Sequence, residues 1–295
     1  MLEDDPSLMI DAARLLLLAG SGLVAGVLGA MLGIGGGVIL VPVLILGFQI
    51  PIHEAVAASL VAVVATSTAA GSVYVGEGLT NMRLAMTLEI ATTSGAIAGG
   101  LTAAILPERD LLLIFATLLI VTAALLGFGG EAGEREPPAP RGQASLGYEE
   151  PGALAGAFRS PRTGELVRYR ARRLPVGLAV SFLAGNVSGL LGVGGGFLKV
   201  PAMRLGMEVP TRVAAATSNF MIGVTAAASA VIYLGRGFLV PLLAAPVALG
   251  VVAGALAGTR LSARVSGLAL ARVLAVLLLA VAVQMVLRAL GGVHG

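Results

Sequence analysis

The chain contains no cysteine and no tryptophan, and only 12% of its 295 residues are charged. Without cysteine there are no disulfides, no thiolate metal sites and no thiol nucleophile. The scarcity of charge is more decisive, because soluble domains carry about 25% charged residues. Here 57% of residues are apolar and the mean hydropathy is +0.97. That balance leaves too few polar side chains to hydrate a protein of this size, so its solvent is lipid. The acidic start Met1-Leu2-Glu3-Asp4-Asp5 also lacks the basic segment of a secretory signal, which predicts that the first apolar stretch stays in the mature protein.

What is present is a series of long apolar windows. Residues 15–48, 55–76, 84–106 and 111–130 hold one ionisable Asp, Glu, Lys, Arg or His among them, Glu89. Residues 174–198, 213–235, 237–259 and 273–287 hold none. A spanning helix needs roughly 20 apolar residues, whereas outer-membrane strands alternate in polarity over about 10. The expected fold is therefore an all-α polytopic membrane protein.

The chain is also duplicated. Leu32-Gly-Ile-Gly-Gly-Gly37 returns as Leu191-Gly-Val-Gly-Gly-Gly196, a shift of 191 − 32 = 159. The same shift maps Pro42 onto Pro201, Pro51 onto Pro210, Ser59 onto Ser218, Thr66 onto Thr225 and Tyr74 onto Tyr233. Between 26–99 and 185–258 there are 25 identities in 74 ungapped positions, where shared composition alone gives about 10%. Each half divides into five apolar pieces: 8–31, 36–48, 52–75, 82–105 and 110–128, then 174–190, 195–206, 211–234, 238–260 and 265–290. The expected organisation is a first membrane repeat over 8–128, an Arg-rich linker over 129–173 and a second repeat over 174–290. The linker reads as a loop or a small extramembrane hairpin.

Loops rich in Lys and Arg remain cytoplasmic. With the linker inside, five crossings per half, or three if the first two pieces form a re-entrant pair, also put Arg83, Arg204, Arg212, Arg260 and Arg264 inside. Both counts are odd, so the repeats are expected to be inverted copies in an inner (plasma) membrane. Both chain ends, His53 and Glu54, Glu108 to Asp110, and Arg236 then lie outside.

Gly35, Gly36 and Gly37, with Gly194, Gly195 and Gly196, fall between apolar pieces. Glycine runs weaken helices. Irregular backbone at membrane depth persists only against protein or a water-filled cavity. The short pieces that follow would turn their N-terminal amides and positive dipole ends into the two breaks. Brought together by inverted symmetry, these ends would form an anion site near the midplane; otherwise the glycines serve close helix crossings or a tight turn. The runs are not nucleotide motifs. Val38 and Phe197 stand where a P-loop needs lysine, and a dinucleotide fingerprint would need glycine at residue 38. No HExxH or GxSxG occurs either, and no enzyme activity, cofactor, metal or nucleic-acid partner is expected.

Gly33-Ile-Gly-Gly-Gly37 with Val41-Pro42, and Gly192-Val-Gly-Gly-Gly196 with Val200-Pro201, resemble the paired signature of the TauE/SafE family of membrane transporters. The resemblance covers both apolar halves but not the linker. It implies secondary transport of sulfite, thiosulfate or an organosulfonate such as sulfoacetate, coupled to a proton or sodium gradient. An anion channel, or a carrier of another small carboxylate or oxyanion, is the alternative.

Further site residues come from polar groups within the apolar pieces. Ser59, Thr217, Ser218 and Asn219 lie near the starts of equivalent segments and are candidates to line the substrate path; interhelical hydrogen bonding is the competing role. Thr66 and Thr225 lie seven residues beyond the two serines, on the same helical face. Asn186 and Ser188 are weaker candidates. Intramembrane charge is costly and points to function, which makes Glu89 the candidate for a coupling ion, or else a hydrogen-bonded structural carboxyl. Lys199 offers either a cation for a sulfonate or, more simply, a side chain that snorkels to the cytoplasmic surface. Gly95/Gly99 and Gly254/Gly258 are GxxxG steps suited to helix crossing. His53 is expected to sit solvated at the outer interface.

Overall fold

In the computed structural model the described residues are 6–32, 35–128, 154–159, 166–261 and 267–291. The first repeat comprises α1 (Pro6–Leu32), the short α2 (Gly37–Pro42), α3 (Ile52–Gly76), α4 (Met82–Ala103) and α5 (Glu108–Phe128). A two-stranded antiparallel hairpin follows, β1 (Ala155–Arg159) against β2 (Leu166–Arg170). The second repeat comprises α6 (Leu174–Leu191), the short α7 (Gly196–Pro201), α8 (Thr211–Gly235), α9 (Pro241–Leu261) and α10 (Gly267–Gly291). Eight helices among the described residues are long and apolar enough to cross a membrane. Their outer faces carry exposed Leu16, Ile90, Ile97, Leu249, Val276 and Leu287, as lipid contact requires. Arg264 and Arg162 lie outside the described residues, as do Gly33 and Ile34 of the first glycine motif.

Local chemistry sets the boundaries. Pro51 and Pro210 hold extended backbone just before α3 and α8, as proline does at a helix entrance. The Asn81 side chain caps α4 by accepting from the Leu84 amide at 3.0 Å. Pro42 and Pro201 end α2 and α7, and in both repeats a five-residue π-helical turn follows, Val43–Gly47 and Ala202–Gly206. Proline has no amide hydrogen to give the α ladder, and a wider turn begins where that bond is missing.

The direction of each helix follows from its contacts. The Asn81 amide donates to Thr217 Oγ1, and eight residues further along both helices Thr225 Oγ1 donates to Glu89 Oε1. Helices α4 and α8 therefore run parallel. Helix α3 is joined to α4 by the turn at 77–81 and runs opposite to it, hence opposite to α8. Because α3 and α8 are repeat equivalents packed on one another, the repeats are inverted.

Each first helix pairs with the fourth helix of the other repeat. Methyl groups at Gly250, Gly254 and Gly258 would overlap the carbonyls of Ala19, Leu23 and Val27, so α9 crosses α1 in parallel. Gly95 and Gly99 meet the carbonyls of Phe182 and Asn186 in the same way, joining α4 to α6. The GxxxG steps are helix crossings between repeats.

These directions give α1 and α3 the same sense, so the segment Gly37–Gly47 must run back between them. Its 11 residues rise about 16 Å, roughly half of the hydrocarbon layer. In the second repeat the Arg172 amide, just before α6, donates to the carbonyl of Met207, just after the π turn. The chain thus leaves the α6–α7 pair on the side where it entered. Of the two crossing counts considered from sequence, the re-entrant pair with three net crossings is the one formed, and five full crossings per repeat are not. The odd count survives either way.

The hairpin lies at one end of the bundle, beside the 77–81 turn. Phe158 and Tyr169 pack with Leu79, Leu84, Met207 and Val213 there, and Asn81 Nδ2 donates to Tyr169 Oη at 3.0 Å. Arg83, Arg204, Arg212 and Arg260 sit at helix ends on this same side. At the opposite end, half-buried His53 stacks on Phe238 and its Nε2 lies 3.2 Å from the Ala103 carbonyl. His53 is thus tied to three helix ends and not freely solvated. Arg288, near the end of α10, donates to the Ile45 carbonyl on that side.

Candidate functional site

The two glycine breaks meet inside the protein. A methyl at Gly37 would overlap the Gly192 carbonyl and approach Ser59 Oγ and the Val193 Cα, both at 2.9 Å. Gly35 and Gly194 each face the same two side chains, Val63 and Ile222. Each of those is the twelfth residue of a 25-residue helix, which puts the meeting point halfway along both helices. Gly36 and Gly195 have φ of 73° and 70°, the left-handed region that a side chain resists, and each begins its short helix. The first-turn amides of α2 and α7 face back into the breaks.

Four polar residues predicted near this centre have different fates. Ser59 Oγ donates to the Gly192 carbonyl at 2.8 Å, tying α3 to the opposite motif. Thr217 Oγ1 accepts from the Asn81 amide at 3.0 Å and so anchors the start of α4. Both are used in holding helices together. Ser218 and Asn219 are different: both are 0% exposed, and neither Ser218 Oγ nor either atom of the Asn219 amide has a hydrogen-bond partner. Buried polar groups are nearly always paired, and leaving one unpaired costs about 1–3 kcal/mol. Three unmatched atoms thus stand on adjacent residues about one helical turn before Ile222, the side chain that faces Gly35 and Gly194. Ser188, on α6 just before the second motif, adds another buried and unpartnered hydroxyl.

A charged cluster lies on the same face of α8. Ser218, Ile222, Thr225 and Ser229 recur at helical spacing, and Thr225 joins Glu89 of α4 to Lys199 of α7. Lys199 Nζ donates to Thr225 Oγ1 at 3.1 Å, and Glu89 Oε1 accepts from Thr225 Oγ1 at 2.8 Å and from Thr93 Oγ1 at 3.0 Å. Lys199 is 1% exposed, so it does not snorkel. It lies eight residues before Met207, about 12 Å from the end of its segment, and points inward to Thr225. That depth was the signal available in the sequence. Glu89 has no basic neighbour within its own helix turn, and its counter-charge, Lys199, comes from the other repeat. The cluster has no twin: the equivalents of Lys199 and Glu89 are Leu40 and Ala248, and Thr66 Oγ1 bonds only to the Ala62 carbonyl at 2.9 Å.

Comparison with known proteins finds relatives named as membrane transporters. The chain is 26% identical over 223 residues to the probable membrane transporter protein YunE of Bacillus subtilis (strain 168), covering 73% of this chain and 77% of that protein. A probable membrane transporter protein of Xylella fastidiosa (strain 9a5c) is 28% identical over 278 residues, 93% of this chain and 95% of the relative. Sulfite exporter TauE/SafE family protein 5 of Arabidopsis thaliana is 46% identical over 59 residues, 20% of this chain and 13% of that protein. No solved structure matches. The family described as Sulfite exporter TauE/SafE matches residues 18–285, spanning both repeats and both glycine breaks, and this chain belongs to that family.

Proposed function

We propose that the protein is a secondary transporter of small sulfur-containing anions, sulfite, thiosulfate or an organosulfonate such as sulfoacetate, and has no enzymatic role. The observation that carries this reading is the unpartnered, fully buried pair Ser218 and Asn219, about one turn along α8 from the Ile222 that faces both glycine breaks. An oxyanion offers several acceptors to the Ser218 hydroxyl, the Asn219 amide hydrogens and the amides of Gly35, Gly36, Gly37, Gly194, Gly195 and Gly196. Positive helix ends in a dry site favour negative charge. Ser59 and Thr217 support the site by fixing the backbone around it. Membership of the TauE/SafE family and the transporter names of its relatives point the same way.

Inverted repeats supply the motion. Two inward-facing and outward-facing arrangements related by pseudo-symmetry allow one bundle to rock against the other about a fixed midplane site. The arginine-bearing hairpin end is cytoplasmic in this reading, and both chain ends are external. Glu89 is the coupling residue.

The test is a thermal-shift series on purified protein with sulfite, thiosulfate, sulfate, sulfoacetate and taurine. Stabilisation by at least one of the sulfur oxyanions supports the reading. Stabilisation by zwitterionic taurine alone, or by none of the five, overturns it.

A further inference from the structure

The Thr225 hydroxyl has one hydrogen and two acceptors within reach, Glu89 Oε1 at 2.8 Å and the Met221 carbonyl at 2.9 Å. It also accepts from Lys199 Nζ at 3.1 Å. A hydroxyl can rotate its hydrogen between such acceptors. Thr66, its twin in the first repeat, has only the carbonyl to bond, because no charged group stands nearby there. Thr225 therefore sits between two states that its twin does not have.

The charged groups on either side are under-used. Among the described residues the only ion pair within 4.0 Å is the exposed Arg172–Glu208, so Lys199 and Glu89 meet through Thr225 and not directly. An ammonium has three donors and a carboxylate about four acceptor positions. Lys199 uses one donor, and Glu89 Oε2 has no partner although it is buried. Of the ionisable groups on the elements packed around Glu89, Arg83 and Arg212 sit at helix starts on the hairpin side, Arg204 lies in the π turn, and the Tyr233 hydroxyl is bonded to the Leu190 carbonyl. Helix α6 carries none. Lys199 is the one that faces the carboxylate.

We propose that Lys199 and Glu89 form a charge-exchange pair, in which an anion bound beside Ser218 and Asn219 takes Lys199 as its counter-charge while Glu89 binds one proton, so that anion and proton cross together. This rests on the anion-carrier reading above and specifies its coupling. Empty, the site is neutral: one ammonium and one carboxylate share the Thr225 hydroxyl. A monovalent anion would leave a net negative charge in a dry interior, which is strongly disfavoured. A proton on Glu89 restores neutrality, and the Thr225 hydrogen turns to Met221. The site then carries Lys199 and the anion as its charged pair, with a neutral carboxyl beside them. Anion without proton, or proton without anion, leaves an unbalanced buried charge, and this imbalance is what couples them. The loaded and empty sites both have zero net charge, so transport of a monoanion is electroneutral.

The experiment uses full-length protein in liposomes with an internal pH dye and a membrane potential clamped by potassium and valinomycin. The probe is isethionate, a monoanion whose sulfonate does not titrate near neutrality. One proton is expected to enter with each isethionate, at a rate that does not change between zero and −100 mV. Glu89→Gln is expected to slow net uptake about tenfold, and what enters brings no proton. Glu89→Asp keeps the one-to-one ratio at reduced rate. Lys199→Met is expected to lower uptake about 100-fold, with Lys199→Arg partly restoring it. Isethionate entry without protons in the wild type, or proton entry persisting in Glu89→Gln, overturns the charge exchange alone. If neither isethionate nor thiosulfate enters through the wild type, the anion-carrier reading itself fails.

Discussion

Val63 and Ile222 occupy the same position in the two repeats, and each touches both Gly35 and Gly194. One side chain from each repeat therefore packs against both glycine breaks, close to where Gly37 meets the Gly192 carbonyl.

Gly37 is where the two glycine motifs meet, since any side chain there runs into the Gly192 carbonyl and Ser59 Oγ. Gly37→Ala should lower the melting temperature by several degrees and abolish uptake. Gly47→Ala, where a methyl meets nothing within 4 Å, should change neither. A normal melting curve and normal uptake for Gly37→Ala would show that the two motifs are not in contact.

Asn219 separates stability from function. Its repeat equivalent is Leu60, so the fold already accommodates leucine at this position. Asn219→Leu removes an unpartnered buried amide and should leave the protein as stable or more stable, by about 1–3 kcal/mol. The same change should eliminate stabilisation by the transported anion. Lower thermal stability together with normal ligand response would make Asn219 a structural residue.

The buried charges predict non-additive mutants. Lys199→Leu leaves Glu89 without its counter-charge, and Glu89→Ala leaves Lys199, each at a cost of about 3 kcal/mol or more. The double variant copies the Leu40 and Ala248 of the first repeat and should be more stable than either single variant. Unfolding measurements in detergent read this directly. Simple addition of the two losses would mean that the groups do not interact.

The absence of cysteine makes orientation directly accessible. Glu77, in the α3–α4 turn on the hairpin side, and Glu108, at the start of α5 on the other side, are both exposed. In intact cells a membrane-impermeant maleimide should label Glu108→Cys and spare Glu77→Cys. The reverse pattern would put the hairpin outside.

Much of this architecture was legible from local signals. The glycine runs, Pro51 and Pro210, and the long uncharged windows placed each helix, because lipid leaves so few alternatives for an apolar segment. The inversion of the repeats followed from the arginine distribution alone. The pairing of helices across repeats did not, since hydrophobic periodicity is weak in segments that are apolar all round. Ser59 and Thr217 looked like path-lining residues, but their partners are Gly192 and Asn81, 133 and 136 residues away. No local pattern announces such a bond. Lys199 was misread for a related reason: its partner Thr225 lies on a helix that only the folded protein brings beside it. What distinguishes Ser218 and Asn219 is that their side chains have no partner, and that is a property of the finished core.

The most direct measurement is isotope counterflow in liposomes containing the purified protein, preloaded with unlabelled thiosulfate and given a trace of labelled thiosulfate outside. A carrier that turns over one site between two faces accumulates label transiently above equilibrium, and Asn219→Leu should lose that overshoot while remaining folded. Label that only equilibrates, at a rate indifferent to the internal load and to Asn219, would contradict a single alternating site at the meeting point of the two glycine breaks.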